Sequence, residues 1–204
     1  MAVRYLTGFE TGDAGEVNVA GSLSIQTGTI RTGAYAAAIG TTATQLSAKL
    51  DDKVSRLRSY YFYSTAPVST MNILANRLNP TTNNRFLLRQ NSAGNVIYID
   101  PPQLLGVPTA TGTLTLTAGV WHSIEVIVDS TANGLVQAVL NGVVDYSANV
   151  GNSTSNTDRW VLGGANAAAA YIDDVLIGDA SATIGAGQHI ARQGISGTPA
   201  YDAW

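Results

Sequence analysis

The chain has no cysteine in 204 residues. That excludes a disulfide framework and thiol chemistry. It also has little charge: Asp, Glu, Lys and Arg make up 12%, about half of the ~25% usual in soluble chains. These charges sum to −3 and form no blocks, so neither nucleic acid nor an anionic membrane is an expected partner. No apolar run approaches the ~20 residues of a membrane span. The N-terminal MAVRYLTGFE lacks the apolar core of about 7–15 residues that a secretory signal peptide needs. The expectation is synthesis in a cytoplasm, without standard N-terminal export. No long helical pattern is present either.

What the chain does have is glycine (21 residues), threonine, serine, asparagine and alanine, with short alternating apolar segments. Strands are expected at 3–9, 35–39, 53–63, 71–78, 85–91, 95–100, 113–117 and 121–129. WHSIEVIVD, 121–129, is the best patterned: Ile124, Val126 and Val128 fall on one face, Glu125 and Asp129 on the other. Residues 135–146 carry Asn141-Gly142 at their centre, the pair that a type I′ hairpin turn favours because both positions need positive φ. SAG between 85–91 and 95–100 marks a second hairpin. RWVLGG and AAAAYIDDVLIGD supply the last strands. About a dozen short strands at regular spacing predict an all-β, two-sheet antiparallel jelly-roll sandwich. Its first strand (4–13) and last strand (167–179) are expected side by side. The predicted organisation is one sandwich over 1–179 and a Gly-rich arm or linker over 180–204.

The order of these pieces resembles the concanavalin A-like lectin/glucanase superfamily in its laminin-G-like form. The residues that carry the likeness are Trp121, His122, Ile124, Val126, Val128, Asn141 and Gly142, over about residues 3–179. The tail ARQGISGTPAYDAW, 191–204, after YIDDVLIGD is similar to virion-associated members in phages. Such a likeness bears on fold more than on function, since one fold hosts many activities.

Some jelly rolls of related shape hold a structural Ca²⁺ between the terminal strands. By that resemblance the matching ligands are Glu10, Asp13 and Asp173 or Asp174, and hard oxygens suit the ion. The alternative is that these acids bond turn backbone or face solvent. Strict alternation places Asp173 and Asp174 on opposite faces, so no same-face pair is expected from them. No other cofactor is implied. Glucanases of the superfamily place an acid and a nucleophile about 5 Å apart. The nearest candidates here, Glu125 and Asp129, share a face but lie roughly 13 Å apart at strand rise. His122 and His189 belong to no catalytic spacing. The chain is therefore expected not to be an enzyme.

Sugar sites need an aromatic platform with polar neighbours. Trp160, with Asp158 and Arg159, is the leading candidate; Tyr60, Tyr61 and Tyr63 come next, and core packing is the competing role for each. The tail is either a linker or an arm that docks through Tyr201 and Trp204. Together these features lead to the expectation of a non-enzymatic phage virion protein on the capsid or tail. It would be a homo-oligomer contacting other virion proteins. The alternative is a carbohydrate-binding, host-adhesion module that takes a surface glycan.

Overall fold

The computed structural model describes residues 3–10, 12, 23–39, 44–45, 53–77, 84–99, 105–151, 159–163 and 170–178. Among these residues the chain forms strands and no helix: β1 (Val3–Thr7), β2 (Ser24–Gln26), β3 (Ala36–Ile39), β4 (Thr44–Gln45), β5 (Val54–Tyr63), β6 (Met71–Arg77), β7 (Asn84–Gln90), β8 (Asn95–Ile99), β9 (Ala110–Thr115), β10 (His122–Asp129), β11 (Leu135–Leu140), β12 (Val143–Asn149), β13 (Arg159–Leu162) and β14 (Ala170–Gly178). They make two antiparallel sheets. The larger, of eight strands, runs β12-β11-β10-β5-β14-β3-β2, with β1 also on β14; the smaller, of six, runs β4-β13-β6-β7-β8-β9.

The period-2 patterns become the inner faces. Ile124, Val126 and Val128 of β10 lie opposite Leu140, Ala138 and Val136 of β11, and all are buried. Asn141 (φ 51°) and Gly142 (φ 80°) form the turn at the end of β11, as the Asn-Gly pair predicts. Phe86 and Tyr98 of the smaller sheet meet Tyr146 of the larger one, with ring centroids 5.6 and 4.7 Å from that of Tyr146. Where β12 approaches β9, Asp145 ties the two sheets together. Its Oδ1 accepts the N–H groups of Thr113 and Leu114, each at 2.8 Å, and its Oδ2 accepts the Tyr98 hydroxyl at 2.6 Å.

The first and last strands do lie side by side: Tyr5 pairs with Ile177 and Thr7 with Val175. Along its other edge β14 pairs with β5. The edge that meets β1 is shared, however. Residues 170–172 pair with β3 and 175–178 with β1. The strand that neighbours β14 therefore changes at Asp173–Asp174.

Candidate functional site

At that change of neighbour the register of β14 on β5 slips, between Asp173 and Leu176. Asp174 takes φ 48°, a left-handed conformation that Asp tolerates better than most residues. The extra residue is a β-bulge, and it resets the strand's phase. Ile172, Val175 and Ile177 all enter the core, which strict alternation does not allow. The expectation that the two acids point to opposite faces and cannot act together is thus overturned. Both carboxylates reach the same two residues, Arg31 and Thr32, in the segment between β2 and β3.

Each acid is held in detail. Asp173 is fully buried. Its Oδ2 accepts the N–H of Arg31 at 3.1 Å and of Thr32 at 3.4 Å, and its Oδ1 accepts the N–H of Asp174 at 2.8 Å. Burial, then the neighbouring Asp174 charge, pushes its carboxyl up to about 7 against the pull of those three N–H groups. Asp174 accepts the Thr32 hydroxyl at 3.0 Å and forms an ion pair with Arg31 Nη1. Removing one partner of a pair this buried costs about 3–5 kcal/mol. A third acid grips the same segment: Glu10, buried just past β1, accepts the N–H of Ala34 at 3.0 Å. Phe9 beside it has φ 59°, a strained value for an aromatic residue. Gly33, at φ 67°, lies so close to Glu10 that a Cβ would fall inside its carboxylate.

Among the described residues no group of three or more His, Asp or Glu side chains is placed to hold a metal ion. The Arg31 guanidinium sits beside Asp174, where the resemblance put a cation. Asp13, the remaining expected ligand, lies outside the described residues, as do Asp158, Tyr201, Trp204 and the arm itself.

On the outer face of the larger sheet, Arg31 lies over the ring of Tyr60, 3.3 Å from its centroid. Tyr60 pairs across the strands with Asp173, and its hydroxyl accepts from Arg58 Nη2. Arg58 in turn lies opposite Glu125 of β10, whose carboxyl is pushed up by burial and pulled back by Arg58 and Arg56. Two residues beyond Tyr60, on the same face of β5, Phe62 is the centre of an aromatic row. It stands between Trp121, with centroids 5.4 Å apart, and Tyr171, 5.8 Å apart. All three rings are partly exposed.

The expected platform is elsewhere and cannot serve as one. Trp160 is 0% exposed in the core, and its Nε1 donates to Ser55 Oγ at 2.6 Å. Its position on β13 opposite Asn76 turns it inward, while Arg159 is half-buried opposite Arg77. Tyr61 and Tyr63 also belong to the core. Asp129 accepts from its own turn, at Thr131 N–H (2.9 Å) and hydroxyl (2.6 Å), and makes no pair with Glu125. His122 is a hairpin fastener: its Nδ1 meets Asn141 Nδ2 at 3.0 Å, and its Nε2 meets Thr117 at the backbone. The row of Trp121, Phe62 and Tyr171 is not among the sugar-site candidates that the sequence offers, although Phe62 alternates with the core residues Tyr61 and Tyr63. Arg31 left no local trace at all.

The sequence matches no protein-family model and no curated protein. Its fold does match solved structures. Endo-β-1,4-glucuronan lyase from the fungus Trichoderma reesei superposes with a TM-score of 0.59 at 12% identity, over 87% of this chain and 96% of the lyase. Domain 4 of AbnA, a GH43 extracellular arabinanase of Geobacillus stearothermophilus solved with arabinotriose, gives 0.56 at 16% identity, over 87% and 92%. A sialidase gives 0.58 at 9% identity; the match covers 89% of this chain but only 19% of that one. The expectation that the chain is not an enzyme does not stand, because a lyase is built on this sandwich over nearly its whole length. At these identities the likeness is one of fold: an antiparallel β-sandwich of the kind found in carbohydrate-active proteins.

Proposed function

We propose that the protein binds carbohydrate on the outer face of its eight-stranded sheet. The observation that carries this is the row of partly exposed rings, Tyr171 of β14, Phe62 of β5 and Trp121 at the entrance to β10, laid side by side. Aromatic faces stack on the C–H faces of sugar rings and exclude water there. Around the row lie partly exposed groups that bond hydroxyls or carry charge: Ser123 and Glu125 of β10, and Arg31. The sandwich fold shared with carbohydrate-active proteins supports the same reading.

The test is a glycan array followed by calorimetry on the best binder. Trp121→Ala and Tyr171→Ala should each weaken binding roughly tenfold, about the worth of one aromatic contact, with unchanged circular dichroism. Retention of no glycan, or affinity indifferent to both substitutions, refutes the proposal. Mass spectrometry of the bound glycan reports any cleavage on this face. Location is a separate proposal, resting on the sequence resemblance: a place on a virion. Antibody labelling of purified particles tests it, and an absence of label on every particle removes it.

A further inference from the structure

We infer that the glycan carries a carboxylate and that Arg31 is the residue that reads it. This rests on the glycan-binding proposal and names the class of sugar. Arg31 stands beside the aromatic row, because it lies over Tyr60 and Tyr60 is two residues from Phe62 on one strand face, about 7 Å along β5. Its position is over-determined. The backbone N–H is held by Asp173, Nη1 by Asp174 and the guanidinium plane by the Tyr60 ring.

Arg31 is also under-used. A guanidinium has five N–H donors. One is spent on Asp174, and the Nε and Nη2 donors meet no acceptor among the described residues. The side chain keeps 19% of its surface exposed, against 2% for Asp174. A stacked, immobilised guanidinium with an unfilled donor edge matches the two oxygens of a carboxylate and has little orientational freedom left to lose on binding. The neighbouring cations do not offer the same. Arg58 is buried, donates to the Tyr60 hydroxyl and faces Glu125. Burial and the neighbouring Asp174 charge also push the Asp173 carboxyl up, which favours its neutral form and lowers the negative charge beside the site.

The experiment uses the whole chain and matched ligands: oligogalacturonates with their methyl esters, and sialyllactose with lactose, within a broad glycan array. The tightest binder should be an acidic glycan. Esterifying or reducing its carboxylate should weaken binding roughly tenfold or more at low salt, and the preference should shrink as salt is raised. Arg31→Lys, which keeps the charge beside Asp174 but not the planar fork, should lose most of that preference while its circular dichroism is unchanged. If the tightest binder is neutral, or its ester binds as well as the acid, this inference falls and glycan binding stands. If no glycan is retained, the glycan-binding proposal falls and takes this inference with it.

Discussion

Between pH 4 and pH 8 the protein should lose stability as pH rises, and Asp173 should be a main cause. Its carboxyl lies at about 7 in the fold, against 3.8 for the unperturbed group. Below the lower value both states are protonated and the group contributes no pH dependence. Between the two values the unfolded chain releases a proton that the folded chain keeps, so the slope of stability against pH is negative. Above about 7 the slope vanishes. About three pH units at about 1.36 kcal/mol each set an upper bound of roughly 4 kcal/mol. Asp173→Asn isolates this contribution. The amide has one acceptor oxygen for the three N–H groups of Arg31, Thr32 and Asp174, a loss of about 1–3 kcal/mol that does not depend on pH. The variant should therefore be less stable than the parent at pH 4 and draw level with it or overtake it by pH 8. Glu125, whose carboxyl is also pushed up by burial, changes in the same direction in both proteins and cancels. Urea unfolding at constant ionic strength, with equal m-values, measures the difference. A parent-to-variant gap that stays constant within about 0.5 kcal/mol from pH 4 to 8 would refute the reasoning.

The remaining predictions concern how the site and the sheets are held. Gly33→Ala forces a left-handed residue with a side chain into the Glu10 carboxylate; chemical denaturation should report a loss of about 2–3 kcal/mol. Trp160→Phe removes the bond to Ser55 and leaves a small void. It should cost about 2 kcal/mol of stability and leave glycan affinity unchanged, because the indole is in the core. Asp145→Ala unties β12 from β9. The loss should be about 2–4 kcal/mol, and hydrogen exchange at the Thr113 and Leu114 amides should speed up most.

Local chemistry wrote much of the fold into the sequence. The alternation of β10, the Asn141-Gly142 turn and the hairpin joining β7 to β8 depend on residues within a few positions of one another, so they could be read along the chain. The adjacency of β1 and β14 was legible in the likeness of the two end segments, each an apolar run that carries acids, whereas the pairing of β14 with β3 and β5 was not. What the tertiary structure decided was the phase of β14 and the use of its acids. The alternating face assignment failed at Asp174 because the strand beside β14 changes from β3 to β1 there, and a bulge absorbs the mismatch. That bulge delivers two carboxylates to Arg31 and Thr32, more than 140 positions earlier in the chain, a contact no local pattern records. Trp160 and Trp121 show the same division. Both read as aromatic residues in short strands. Only the register of β13 on β6 and of β10 on β5 settles that one indole fills the core while the other lies beside Phe62 on the open face of the sheet.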